Sequence, residues 1–353
     1  MASNLDVFEI SGPVHLSSID WSCPHDQRVV AASLVQATCI QEKDRENKRA
    51  GSEALAPAWW QPFHFECIEI LIDNHDSSIF GCIYKFKQPF PAHPSSPRFV
   101  VTFRGTLPDR RHGFQDGFLD LCVIFGGINK TARFETALDA VQKLMTDYNT
   151  QDIWLAGHSL GASIATVTGK YIAKTNIHLK TFLFNPPFAS IPLDWFSNLD
   201  NKLKERLRIC KTILKGGVSL FMQNQRKKSL DEFSKLAAWT PYLYVNPGDP
   251  ISASYITYFK ERKEKEGKII GYVEQVATRT SLRESCSGVL SRGSEMSHLL
   301  PSASLVVNLK KLKSWYESHG IHQWWQQDIC LEFSDHHYQH ETKLMHFIPH
   351  FKS

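Results

Sequence analysis

The chain has 353 residues, 42% of them hydrophobic and 22% charged, and its 40 Lys and Arg against 36 Asp and Glu leave a net charge of only +4. Such a composition excludes a disordered or collagen-like chain, and so small a charge bias does not point to nucleic acid or to a strongly anionic partner. The nearest approach to a membrane-spanning run, residues 29–40, is interrupted by Ser33, Gln36 and Thr38 and is shorter than the ~18 apolar residues a spanning helix needs.

The N-terminus carries no basic region followed by an apolar core, so a cytoplasmic address is expected. The eight cysteines include no C-x-x-C pair and read as reduced structural thiols. Asp26 is expected to cap a helix running to about residue 46, with Val30, Leu34, Ala37 and Ile40 on the side packed against a sheet. Residues 65–72 and 78–87 are β-rich runs joined as a hairpin across Asp73-Asn74-His75-Asp76. Residues 89–97 are proline-rich and read as a surface loop.

From residue 99 the pattern alternates. An apolar strand at 99–103 precedes a helical stripe of Phe134, Leu138, Val141, Leu144, Met145 and Tyr148; a strand at 152–156 precedes a helix at 160–174. Strands at 181–184 and 242–245 each end in Asn-Pro, and 303–307 supplies the last strand. This repetition predicts an α/β fold, a mainly parallel central sheet with helices on both faces. Residues 188–240 interrupt it with a basic, partly helical segment read as an inserted cap, and the Lys and Glu run at 260–268 reads as a solvated helix end. Residues 281–297, rich in Ser and Gly, read as a loop, and 335–353 as a polar tail. With no internal repeat, residues 1–353 read as one domain.

Gly157-His158-Ser159-Leu160-Gly161 falls where a predicted strand gives way to a predicted helix. A Ser on that turn is held on a strained backbone, and small residues two positions to either side let strand and helix close in and expose its hydroxyl. The helix start adds a positive dipole end and the N–H of Leu160, suited to an oxyanion. Phe103-Arg104-Gly105-Thr106 follows another apolar strand. It reads either as a plain strand-to-loop turn with a structural Arg or as the source, at Thr106, of the second oxyanion donor.

Together, Phe-Arg-Gly-Thr, Asp120-Leu121 and Gly-His-Ser-Leu-Gly-Ala resemble the lipase class 3 group of α/β-hydrolases. Ser-Gly-Pro-Val-His-Leu near the start, Trp59-Trp60 and the segment from His319 to Trp325 make the chain similar to plant proteins labelled GDSL esterase/lipase-like, although it contains no Gly-Asp-Ser-Leu. The resemblance implies the order Ser, Asp, His, with the acid after a later strand. Asp249, in Asn246-Pro247-Gly248-Asp249-Pro250 after the 242–245 strand, meets that requirement, whereas Asp194, Asp231 and Asp328 follow no clear strand. Among 16 histidines two compete as base: His298 precedes the last predicted strand, and His319 follows it, where the resemblance places the base. His322 reads alternatively as an aromatic-patch residue.

The C-terminal His336, His337, His340, His346 and His350 lack compact ligand spacing, so neither metal nor cofactor is expected. The expected activity is that of a serine carboxylic-ester hydrolase, cleaving an acyl lipid or other hydrophobic ester through an acyl-enzyme with Ser159, Asp249 and His319. A rival is a non-catalytic hydrolase fold that binds a small apolar ligand. The cap's basic and apolar composition is compatible with peripheral membrane contact, and association with RNA through residues 202–228 is the weakest reading.

Overall fold

The computed structural model describes residues 3–87, 93–105, 132–188, 236–264 and 300–338. Eight strands form one sheet in chain order: β1 (Phe65–Ile72), β2 (Ile79–Phe86), β3 (Phe99–Phe103), β4 (Ile153–His158), β5 (Lys180–Phe184), β6 (Tyr242–Val245), β7 (Ala303–Asn308) and β8 (Leu331–His336). β3 to β7 are parallel, while β1 to β3 and the β7–β8 pair are antiparallel. The fold is the expected α/β type with a mainly parallel central sheet, and the predicted strands lie within a residue or two of those observed. β8 was not anticipated: it follows the strand expected to be last, and the predicted polar tail begins inside it at Asp335.

Among the described residues the α-helices are α1 (Phe8–Ser11), α2 (Pro24–Glu46), α3 (Ala132–Asp147), α4 (Leu160–Ala173), α5 (Ser254–Glu264) and α6 (Trp315–His319). Because each new parallel strand is added on the same side of the one before, right-handed crossovers put their helices on one face of the sheet. Ala137, Val141 and Leu144 of α3, Ile164 and Ala165 of α4, and Tyr255 and Phe259 of α5 accordingly share one apolar core with Phe99, Val101 and Phe103 of β3. The opposite face, with Val100, Trp154, Phe182 and Tyr244, is covered by the N-terminal α2, Trp59, Trp60 and the Trp324-Trp325 pair.

Covering that face buries α2 on nearly every side. Val29, Val30, Ala31, Ala32, Leu34, Val35, Ala37 and Ile40 are fully buried, and so are polar residues off the expected stripe. Apart from Arg28 Nη2, those polar groups have partners: Thr38 Oγ1 meets Thr102 Oγ1 at 2.5 Å and Tyr84 OH at 3.2 Å, and Asp44 Oδ2 accepts the N–H groups of Leu55 and Ala56. Asp26 does not cap this helix. Pro24, whose missing N–H and fixed φ suit a first helical position, starts it after Cys23, and Asp26 instead accepts the N–H of Asp20.

In the described part of the solvated end expected at 260–268, Lys260 and Lys263 are exposed, and the one departure is Arg262 of α5, which is buried. Its Nη1 donates to the Leu300 carbonyl at 3.1 Å and its guanidinium lies over Tyr258 and Phe259. The described part of the proline-rich loop, 93–97, is irregular and turn-like. The 281–297 loop, nearly all of the 188–240 cap and residues 339–353 lie outside the described residues. Among the described residues no helix is long and apolar enough to cross a membrane.

Candidate active site

The carboxyl ends of the parallel strands bring the candidates together. Ser159 stands between β4 and α4 with φ 52° and ψ −124°, a region that a side-chain-bearing residue occupies at a cost of about 1–3 kcal/mol and mostly where the surroundings impose it. The surroundings here are backbone. A Cβ on Gly157 would sit 2.3 Å from the Gly161 carbonyl oxygen, and one on Gly161 would sit 2.1 Å from that of Phe103. Neither strand nor helix has room for a side chain at these positions. The Ser159 N–H is tied to the Phe184 carbonyl on β5 at 3.0 Å.

Asp249 reaches the same place from the end of β6. Asn246 Oδ1 accepts the Gly248 N–H at 2.8 Å, and the Asp249 N–H bonds back to the Asn246 carbonyl at 2.9 Å. This turn presents a wholly buried carboxylate. Burying a charge is costly unless it is hydrogen-bonded, and four donors meet this one: the Ile251 N–H on Oδ1, and Ser252 Oγ at 2.6 Å, Asn185 Nδ2 at 2.8 Å and His319 Nδ1 at 3.0 Å on Oδ2.

His319 closes the line. It ends α6 after β7, and its Nε2 lies 2.9 Å from Ser159 Oγ. The tautomer that fits has Nδ1–H donating to Asp249, which leaves Nε2 to accept the Ser159 hydroxyl. Ser159, Asp249 and His319, far apart in sequence, are thus joined in one buried hydrogen-bonded line.

Leu160 opens α4, and an N–H at a helix's first position has no acceptor within its own helix. Gly105 packs against the serine so closely that a Cβ there would lie 2.9 Å from Ser159 Cβ. Thr106 lies outside the described residues, as do His298, Asp120, Leu121, Asp194 and Asp231. Asp328 forms an ion pair with Lys310. Arg104 fits the structural reading, with Nε donating to the Ile79 carbonyl and Nη2 3.6 Å from Glu42 Oε1.

Several residues at the site were not singled out from sequence. His158, inside the Gly-His-Ser-Leu-Gly motif, donates from Nε2 to the His319 carbonyl at 2.6 Å, and its ring lies 4.9 Å from that of His319. Burial, followed by the neighbouring His319, pushes its pKa down to about 3, so it stays neutral. Asn185, the Asn of the first Asn-Pro, also donates to the Ser318 carbonyl at 3.0 Å and accepts the Trp324 indole N–H at 2.7 Å. A polar residue closing a strand at the carboxyl end of a parallel sheet was the available signal for it.

His322 sits in a short 3-10 turn, Ile321–Trp325, with its pKa lowered by burial. Its neighbour Trp324 packs instead on Tyr244, 5.4 Å away. No group of His, Cys, Asp and Glu among the described residues could hold a metal ion, and His336 stacks on Phe259.

Residues 100–212 match the model of a family described as Lipase (class 3). Over 348 residues the chain is 42% identical to a GDSL esterase/lipase of Arabidopsis thaliana, covering 94% of this chain and 98% of that protein. Among solved structures, carboxyl esterase 2 of the fungus Tuber melanosporum aligns over 63% of this chain and 88% of its own, at 14% identity and a TM-score of 0.32. An esterase of Pyrobaculum calidifontis aligns over 78% and 95%, at 15% identity and a TM-score of 0.30.

Proposed function

Since the chain belongs to the class 3 lipase family and is a carboxylic ester hydrolase, we propose that it works through an acyl-enzyme on Ser159, with His319 as base and Asp249 as the acid that orients it. The observation that carries this reading is the line of contacts from Ser159 Oγ to His319 Nε2, 2.9 Å, and from His319 Nδ1 to Asp249 Oδ2, 3.0 Å.

Ser159 Oγ attacks the ester carbonyl as its proton passes to His319 Nε2. The Asp249 carboxylate holds the imidazole tautomer and stabilises the imidazolium that results. Negative charge gathers on the former carbonyl oxygen, where the Leu160 N–H at the start of α4 is the first donor and Thr106 the second. Collapse of the intermediate breaks the acyl–alkoxy bond, and the Nε2 proton leaves with the alcohol. Water then attacks the acyl group, gives a proton to His319, and frees the acid as Ser159 takes that proton back.

The substrate is an acyl lipid or another hydrophobic ester, in keeping with the esterase/lipase name of the Arabidopsis relative. The test is turnover of p-nitrophenyl esters of increasing acyl length, together with labelling by a fluorophosphonate. Wild type labels at one site per molecule, and Ser159→Ala loses the label and about 10⁴-fold or more in kcat. Turnover that survives in Ser159→Ala refutes the mechanism, and ligand binding without labelling or turnover favours the binding-protein reading.

A further inference from the structure

The backbone of the proposed base is held by side chains on three consecutive carbonyls. The Ser318 carbonyl accepts Asn185 Nδ2 at 3.0 Å and Gln323 Nε2 at 2.6 Å, that of His319 accepts His158 Nε2, and that of Gly320 accepts Gln323 Nε2 at 3.1 Å. One residue, Gln323, therefore spans both flanks of His319, and it is itself 2% exposed.

Its other end is equally engaged. Gln323 Oε1 accepts Asn246 Nδ2 and Asn308 Nδ2, both at 2.9 Å, and both asparagines are buried. Val245 pairs with Val307, so the two asparagines occupy equivalent positions at the carboxyl ends of neighbouring strands. Each is fixed by its own turn, Asn246 Oδ1 accepting the Gly248 N–H and Asn308 Oδ1 the Lys310 N–H at 3.0 Å. That leaves both NH₂ groups to point at Gln323.

All four hydrogen-bonding positions of the Gln323 amide are thereby used. A reversed amide would set NH₂ against two NH₂ groups and oxygen against two carbonyls, so the network permits one orientation. The chain of contacts runs from the ends of β6 and β7, through one amide, to the carbonyls either side of His319. Asn246 also shapes the turn that carries Asp249, so base and acid share this anchor.

We infer that Gln323 is a positioning residue: through Asn246 and Asn308 it fixes the backbone of His319 against the sheet and so keeps Nε2 within reach of Ser159. This rests on the catalytic reading of Ser159 and His319. Displacing a catalytic group by about 1 Å costs on the order of 100-fold in rate.

A positioning role separates from a merely structural one by comparing the rate of fluorophosphonate labelling with its endpoint stoichiometry, alongside kcat and KM for p-nitrophenyl butyrate. Gln323→Leu is expected to label to the wild-type endpoint per folded molecule, but about 30- to 100-fold more slowly, with kcat reduced alike and KM within about two-fold. Asn308→Ala, which removes one donor and leaves Gln323 in place, is expected to slow labelling and kcat by about 3- to 10-fold.

Labelling at the wild-type rate with a reduced endpoint would overturn the proposal, because that result describes a misfolded fraction and not a misplaced base. If Gln323→Leu yields no folded protein, Asn308→Ala decides by the same two readouts. Wild type that never labels, or Ser159→Ala that keeps its turnover, sinks the catalytic reading and this inference together. Loss of both in Ser159→Ala, with Gln323→Leu and Asn308→Ala at wild-type rates, sinks the inference alone.

Discussion

The serine and the histidine face each other across 2.9 Å, yet their positions are enforced by different physics. At the Ser159 turn the constraint is steric and local: within five consecutive residues, two glycines leave no room for a side chain and one serine takes a positive φ. Around His319 the constraint is polar and distant. His158, Asn185, Asn246 and Asn308 come from β4, β5, β6 and β7 and meet the His319 segment only in the folded chain. A local steric requirement leaves a contiguous signature in sequence, whereas a polar one assembled by topology leaves scattered amides that resemble ordinary strand ends.

The largest effect on the polar side is expected from Asp249→Asn. The amide offers an N–H where the carboxylate accepts, so the imidazole loses the acceptor that fixes its tautomer, and kcat should fall about 10⁴-fold with the fold retained. Steady-state kinetics with circular dichroism check this; a loss under tenfold would mean that the acid does not orient the base.

Gly161→Ala probes the steric side. Its Cβ meets backbone, the Phe103 carbonyl at 2.1 Å, and not the end of a side chain that can move aside. Overpacking of this kind should cost about 3 kcal/mol of stability, read as a drop in denaturation midpoint. Activity should fall with the turn, even though the altered residue touches no substrate.

Asn185→Leu tests whether the two sides are separable. It strips one donor from Asp249 and one from the Ser318 carbonyl and leaves the Trp324 indole N–H without its acceptor. kcat should drop by about 100-fold while the Ser159 turn stays intact. A crystal structure of the variant with Ser159 φ still positive and His319 displaced is the expected result; an unmoved imidazole would contradict it.

These two sides also explain what the sequence made legible. The alternation of apolar runs located β3 to β7 because buried parallel strands are short and apolar throughout, and the strained turn was readable because its residues are contiguous. The acid and the base followed from resemblance and chain order, and the fold brings His319 within hydrogen-bonding distance of both Asp249 and Ser159. β8 was missed because Leu331–His336 mixes charge with apolar residues at the sheet edge, where only one neighbour is needed. The near-total burial of α2 goes beyond the one packed side that its apolar spacing predicts, because Gln27, Arg28, Gln36 and Glu42, polar residues off that stripe, also lie against the body of the protein. Gln323 and Asn308 were not singled out, and Asn185 offered only the signal of a polar residue closing a strand: their meaning lies in which strand ends are adjacent.

The smallest effect, and the one that sharpens the comparison most, concerns His158, which belongs to both sides: it sits inside the steric motif and supplies a polar tie to His319. Burial holds its pKa at about 3, against 6.5 for the unperturbed side chain. Between those values the unfolded chain binds a proton that the folded chain refuses, so the penalty is absent above about pH 6.5 and grows as the pH falls toward 3. One proton gives a slope of about 1.4 kcal/mol per pH unit and a few kcal/mol in all. His158→Gln keeps an amide donor for the His319 carbonyl and removes the titrating group. Its kcat at neutral pH should fall by less than about tenfold, while denaturant melts between pH 6.5 and 4 should show a flatter loss of stability than wild type. Parallel curves for the two proteins would mean that His158 takes up its proton in the fold as readily as in the unfolded chain, and that burial does not hold it neutral.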